Sequence, residues 1–69
     1  MKYEIIIYWS EEDRAFIAEA PELPGCMADG ESHAESLAAL EIVMDEWIET
    51  ARMAGRAIPE PKRRRLMLA

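Results

Sequence analysis

The chain has 69 residues, a net charge of −6, 51% hydrophobic side chains and a single cysteine. These values predict one domain over residues 1–69, exclude an intrachain disulfide, and favour a homo-oligomer, a dimer or tetramer, as the way for so small a domain to gain stability. No apolar run is long enough to cross a membrane and no signal-peptide pattern is present, so we expect a cytoplasmic protein with a reduced thiol and no membrane partner.

The charge is unevenly distributed along the chain. Residues 1–50 carry 13 acidic side chains against Lys2 and Arg14, which leaves a net charge of −11. Residues 51–69 carry six basic side chains against Glu60, which leaves +5. The acidic part repels phosphates and attracts basic partners, and the basic end does the opposite. The alternative interpretation is that both are ordinary solvated surfaces.

The first two predicted elements form a hairpin. Residues 3–9 are rich in β-branched and aromatic side chains, which favour a strand, and residues 15–20 form the returning strand after a polar turn at 10–14. The alternation of a strand places one apolar set towards the core: Tyr3, Ile5, Ile7 and Trp9. The opposite face is mixed and half covered, and it carries Ile6 and Tyr8.

A proline-rich connection follows the hairpin. Pro21 and Pro24 cannot donate hydrogen bonds to a sheet, so pairing should lapse between them. A short third strand is predicted over residues 26–28, ended by Asp29 and Gly30.

A long helix is predicted next. Ser32 is a good N-cap, and Glu35 stands at the spacing of a capping box, in which each side chain satisfies the backbone N–H of the other. Gly55 suits the position just after the helix, which would be about 33 Å long for roughly 22 residues. The residues expected on its buried stripe are Leu37, Leu40, Met44, Trp47, Ile48 and Ala51.

A fourth strand is predicted over residues 65–69, after a stiff connection that contains Pro59 and Pro61. The fold class is therefore α+β, with the element order β-β-β-α-β. A right-handed crossover would return the last strand beside the first, giving a single mixed sheet of order 3-2-1-4 with the helix on one face.

The residue types that carry chemistry are sparse. Cys26 and His33 could form a catalytic pair, but a small buried cysteine and a surface histidine explain them better. Glu11, Glu12 and Asp13 lack the spacing and glycine turn of a calcium loop, and four soft ligands for zinc are missing. We predict no catalytic residues, no metal and no cofactor, and hence no enzyme.

One basic run stands near the C-terminus: Lys62, Arg63, Arg64 and Arg65. It could contact nucleic-acid phosphates, although it lacks interleaved aromatic residues. The alternative is that the charges protect an edge strand from aggregation.

Three segments together resemble the HicB-type antitoxins. They are the acidic tip 10–13, the run 16–26 with Pro21-Glu22-Leu23-Pro24-Gly25-Cys26, and Gly30-Glu31-Ser32 before a helix that ends near Gly55. The Ile58-Pro59-Glu60-Pro61 stretch fits the connection to their last strand, so the resemblance covers residues 1 to about 61. It implies a partial ribonuclease-H-like fold, here without the clustered carboxylates of a two-metal nuclease.

The resemblance also implies a protein that binds and blocks a small basic RNA-cleaving toxin of the HicA type, which suits an acidic body. Such antitoxins usually carry a C-terminal DNA-binding unit, and because this chain ends at Ala69, DNA binding is not expected without an added domain. The alternative functions are a homo-oligomeric regulatory or structural domain and a weak nucleic-acid binder. The residues expected at an interface with a partner or a second copy are Ile6, Tyr8, Glu11, Glu12, Asp13, Ile17, Leu66 and Leu68.

Overall fold

A computed structural model describes residues 3–61 and confirms the α+β class. Strands β1 (Ile6–Ser10), β2 (Ala15–Glu19) and β3 (Met27–Gly30) precede one long helix, α1 (His33–Met53). The strands pair antiparallel in the order β1-β2-β3, so β2 is the central strand of this sheet. The strand predicted over 65–69, and with it the fourth place in the sheet, lies outside the described residues.

The strand β3 is longer than predicted. We expected it to end at Asp29 and Gly30, a pair typical of turns, but these residues pair with Ile17 and Phe16 of β2. Pairing with a central strand satisfies their backbone groups and overrides the local preference of the two residues. Pairing with β2 also sets the start of β1. This strand begins at Ile6 rather than at Tyr3, because β2 ends at Glu19, the residue that pairs with Ile6.

The connection between β2 and β3 is held by hydrogen bonds within the segment itself. The N–H of Leu23 donates to the carbonyl of Ala20 at 3.0 Å, and the N–H of Cys26 donates to the carbonyl of Leu23 at 2.9 Å. The Leu23 side chain is fully buried, and the indole Nε1–H of Trp47 donates to the carbonyl of Pro24 at 3.0 Å. The predicted lapse in sheet pairing is therefore confirmed, and local hydrogen bonds together with the helix hold the segment in place.

The helix α1 begins after Ser32, as predicted. The Ser32 Oγ accepts the N–H of Glu35 at 3.1 Å. The reciprocal bond of a capping box is absent, since Glu35 Oε1 accepts the N–H of Glu31 at 3.2 Å instead of that of Ser32. Both bonds still satisfy backbone donors at the helix start, where negative charge is favoured.

The helix ends in a Schellman motif around the predicted Gly55. The N–H of Gly55 donates to the carbonyl of Arg52 at 3.1 Å, and that of Arg56 donates to the carbonyl of Ala51 at 2.8 Å. Gly55 has a φ of 71°, a conformation that costs glycine little.

The core lies between one face of the sheet and α1. Its buried members are Tyr3, Ala18, Ala20, Leu23, Cys26, Leu40 and Met44, with Ile5, Ile7, Ala28, Val43, Trp47 and Ile48 packed around them. The predicted helical stripe is thus confirmed at Leu40, Met44 and Ala51, which are at most 4% exposed.

Two small residues let α1 approach β3 closely. A Cβ atom on Gly30 would lie 2.5 Å from the backbone nitrogen of Ser36, so only glycine fits there. Ser36 is itself fully buried, and its Oγ donates to the carbonyl of His33 at 2.9 Å. This contact places α1 chiefly over β3 and β2 rather than over β1.

The prediction that Trp9 belongs to the core is wrong. Trp9 lies on the same side of β1 as Ile5 and Ile7, but its side chain is 47% exposed. The reason is the position of α1, which leaves the end of β1 uncovered. Tyr3, from the same predicted face, is buried, and its hydroxyl donates to the carbonyl of Pro59.

Candidate protein-binding interface

The sheet face opposite α1 carries large apolar side chains that no described element covers. We call this surface the open face and define it by Ile6 and Tyr8 of β1, Ile17 of β2 and Met27 of β3. Ile6 and Tyr8 are each 42% exposed and Met27 is 48% exposed. These three half-exposed apolar side chains lie on β1 and β3, on either side of Ile17 of the central strand, and form a patch of the kind that marks interaction surfaces.

The strand register explains how the patch is assembled. Tyr8 lies directly opposite Ile17, and Ile6 lies opposite Glu19, which in turn lies opposite Met27. Ile17 is only 9% exposed because it stands on the central strand with neighbours on both sides. Three of the residues predicted for an interface, Ile6, Tyr8 and Ile17, are therefore brought together.

Carboxylates stand beside the apolar residues. Glu19 lies between Ile6 and Met27 in the register, and Asp29 lies opposite Ile17. A depression of about 400 Å³ runs along the β3 side of the open face, where it is lined by Asp13, Ile17, Met27, Ala28 and Asp29. An apolar floor with acidic walls suits a basic, partly apolar segment of another molecule.

The acidic hairpin tip is held in a defined shape. Ser10 Oγ donates to a carboxylate oxygen of Asp13 at 3.1 Å and accepts the N–H of Asp13 at 3.2 Å. Arg14 has a φ of 53°, so it takes the left-handed position that the glycine-free turn requires. Glu11, Glu12 and Asp13, the other predicted interface residues of the described part, are all exposed there.

The described residues are strongly acidic as a whole. Residues 3–61 contain all 14 acidic side chains and only three basic ones, Arg14, Arg52 and Arg56, so their net charge is −11. One ion pair joins Arg52 to Glu49 at 3.8 Å on the exposed side of α1. Such a body attracts cationic partners and repels phosphates over several ångströms.

Cys26 and His33 are not brought together. Cys26 is 2% exposed and precedes β3, whereas His33 is exposed and follows it. The chain makes four strand steps from Cys26 to Gly30, a distance of about 13 Å at the usual rise. Burial raises the pKa of the Cys26 thiol above its ordinary value of 9.0, which keeps it protonated and unreactive at neutral pH.

The described residues contain neither a candidate metal site nor a buried polar side chain without a partner. Within residues 3–61, no group of three His, Cys, Asp or Glu side chains is arranged to hold a metal ion. Every buried side-chain nitrogen or oxygen of these residues has a hydrogen-bond partner. In the same range, no helix combines the length and the apolar character that a bilayer span requires.

Some predicted site residues lie outside the described residues. These are Leu66 and Leu68 of the expected interface, and the basic run Lys62, Arg63, Arg64 and Arg65.

Sequence reasoning missed two exposed side chains. By residue type Met27 suits either a gap in the core or an interface, and its alternation with Ala28, which packs against the core, places it on the opposite side. Trp9 was assigned to the core, and no sequence signal could have shown that α1 leaves it uncovered.

The fold and this surface define a class: a small α+β protein whose antiparallel sheet is covered by a helix on one side and presents an apolar, acid-flanked face on the other. A UPF0150 protein from Synechocystis sp. is 46% identical over 59 residues, which span 86% of this chain and 80% of that protein. A UPF0150 protein from Thermoplasma acidophilum is 32% identical over 59 residues, spanning 86% of this chain and 84% of that protein. The chain belongs to the UPF0150 family. No protein-family model and no solved structure matches it.

Proposed function

We propose that this protein is an antitoxin-like binding module of the HicB type, which neutralises a small basic, HicA-type RNA-cleaving toxin by direct binding. The observation that carries the proposal is the open face, with Ile6, Tyr8 and Met27 each more than 40% exposed beside carboxylates. An apolar centre with a polar surround is the usual anatomy of a protein interface.

Charge supports a basic partner. The net charge of −11 over residues 3–61 would speed the encounter with a cationic protein and disfavour nucleic acid as a direct ligand. The resemblance of residues 1 to about 61 to HicB-type antitoxins gives the partner its class. On this proposal the protein acts by covering the toxin's active surface and needs no catalytic residue of its own.

The test is co-expression with a small basic, toxin-like protein encoded by a neighbouring gene, and the lack of such a neighbour counts against the proposal. We expect the two to purify as one complex and the RNA cleavage of the toxin to stop. Tyr8→Lys should weaken the complex by about tenfold or more, because it removes an aromatic contact and opposes a basic partner. Ile42→Lys is the matched control, since Ile42 is 62% exposed on α1, away from the open face. A partner that is not retained, or a Tyr8→Lys variant that binds like wild type, contradicts the proposal.

The open face also supports a second candidate, a homo-oligomeric regulatory or structural domain without a toxin. The same exposed apolar residues would pack against those of another copy, which is the expected remedy for the small core of a domain this size. Light scattering at micromolar concentration tests it: a dimer or tetramer that Tyr8→Lys turns into a monomer supports this candidate. A wild-type protein that is monomeric removes it.

A further inference from the structure

Three rings cluster at the end of the sheet where the β1–β2 hairpin turns. The rings of Trp9 and Phe16 lie edge to face, with centroids 5.1 Å apart and planes at 71°. The His33 ring also contacts Phe16, with ring centroids 4.4 Å apart and planes at 50°. We call Trp9, Phe16 and His33 the aromatic cluster; it lies on the α1 side of the sheet, at the start of the helix.

Core packing does not account for this cluster. Trp9 is 47% exposed, and His33 is exposed as well, although both lie on the side of the sheet that faces α1. A tryptophan that only stabilised the hairpin could pack on Phe16 without presenting half its surface to solvent. Tryptophan is also the residue most enriched among the energetic centres of protein interfaces.

A carboxylate fixes the exposed indole. The Nε1–H of Trp9 donates to Glu11 Oε2 at 2.7 Å, which orients the ring and places a negative charge at its edge. Glu12 and Asp13 follow in the same exposed turn. None of these three carboxylates forms an ion pair with a described lysine or arginine. The indole face and the carboxylate together favour a cation at this position.

We propose that the aromatic cluster, with Glu11, binds an arginine side chain of a basic protein partner. A planar guanidinium stacks on an indole face and donates hydrogen bonds to a carboxylate at its edge, whereas a lysine ammonium can do only one of these well. The partner's basic character rests on the proposed function, and the cluster adds the specific chemistry by which such a partner would be recognised.

The direct test uses a short oligo-arginine peptide as the probe and the full chain labelled with ¹⁵N. The chain has two tryptophans, so two indole N–H signals report on Trp9 and on Trp47, whose Nε1 is engaged with the carbonyl of Pro24. We expect the Trp9 signal to shift in a saturable way and the Trp47 signal to stay. An oligo-lysine peptide of equal length should bind more weakly. Equal shifts of both signals, or no shift of Trp9, overturn the proposal.

Two variants test the contributing groups. Trp9→Leu should weaken oligo-arginine binding at least about tenfold, equivalent to about 1.4 kcal/mol. Glu11→Gln retains the size of the side chain and should weaken binding by several fold, so it tests the site even if Trp9→Leu impairs folding. Both are checked by circular dichroism, and Ile42→Leu serves as the surface control. Wild-type affinity in a folded Glu11→Gln variant contradicts the role of the carboxylate.

The basic run 62–65 of the chain itself is the competing occupant. Replacing Lys62, Arg63, Arg64 and Arg65 by glutamine should leave the Trp9 signal of the free protein in place. A shift of that signal would show that the chain's own tail fills the cluster, which overturns the proposal.

The outcome is separable from that of the proposed function. If the toxin complex forms and Trp9→Leu binds the toxin as wild type does, the arginine site is wrong and the proposed function stands. If no toxin is retained and oligo-arginine still binds at Trp9, the arginine site stands and the proposed function is wrong.

Discussion

The two faces of the sheet differ in how far their apolar residues are buried. On the face towards α1, Ala18 is fully buried, and Ile5, Ile7 and Ala28 pack against the core. The open face carries Ile6, Tyr8 and Met27, which are 42–48% exposed. Burial in this protein is therefore set by where the helix lies over the sheet, and the large apolar side chains of the open face are left available for another molecule.

The largest expected effect on stability is in the core between α1 and the sheet. Leu40→Ala removes a fully buried side chain between α1 and the sheet and should lower the free energy of unfolding by about 3 kcal/mol. Urea denaturation followed by circular dichroism measures it. Ile42→Ala, on the exposed side of the same helix, should change stability by only about 0.5 kcal/mol. Equal losses of unfolding free energy in the two variants would contradict the assignment of Leu40 to the core.

The next effect tests the close approach of α1 to β3. Gly30→Ala introduces a Cβ atom 2.5 Å from the backbone nitrogen of Ser36, so the helix must shift, at a cost of about 2 kcal/mol. Gly55→Asn is the control, since no atom lies within 4 Å of an added Cβ there and asparagine tolerates left-handed backbone. Thermal unfolding compares the two. A Gly30→Ala melting temperature equal to that of wild type would show that the contact is looser than described.

A smaller effect on stability is expected at the N-cap of α1. Ser32→Ala removes the acceptor of the Glu35 N–H and should cost about 1 kcal/mol. Ser32→Asp should restore most of it, because aspartate caps as well as serine. Chemical denaturation of the three proteins provides the comparison, and a neutral Ser32→Ala substitution would mean that the cap contributes little.

The smallest expected effect on stability lies on the open face. Ile6→Thr keeps a β-branched residue on β1 and should change the free energy of unfolding by only about 0.5 kcal/mol, since Ile6 is already 42% exposed. Its affinity for a partner or a second copy should fall clearly. Isothermal titration or light scattering, set beside the denaturation curve, separates the two quantities. A large loss of stability would mean that the open face is part of the folding core.

Local residue chemistry predicted much of the fold. The N-cap Ser32, the stripe through Leu40 and Met44, and Gly55 after the helix each depend on contacts within a few residues, so they can be recognised without the tertiary structure. The end of β3 and the exposure of Trp9 could not be predicted in this way. Both depend on elements distant in sequence: the central strand β2 in the first case, the position of α1 in the second.

The candidate interface, too, was predictable only in part from the sequence. Alternation along β1 indicated that Ile6 and Tyr8 share a face, and the composition of residues 1–50 indicated an acidic body. Only the register of the three strands joined those two side chains to Ile17 and Met27, and only the hairpin geometry placed Glu11 against the indole of Trp9. The sequence by itself determined which elements form, because helix caps, strand alternation and prolines act locally. The tertiary structure decided which surfaces remain open, because the contact of Gly30 with Ser36 sets where the helix lies over the sheet.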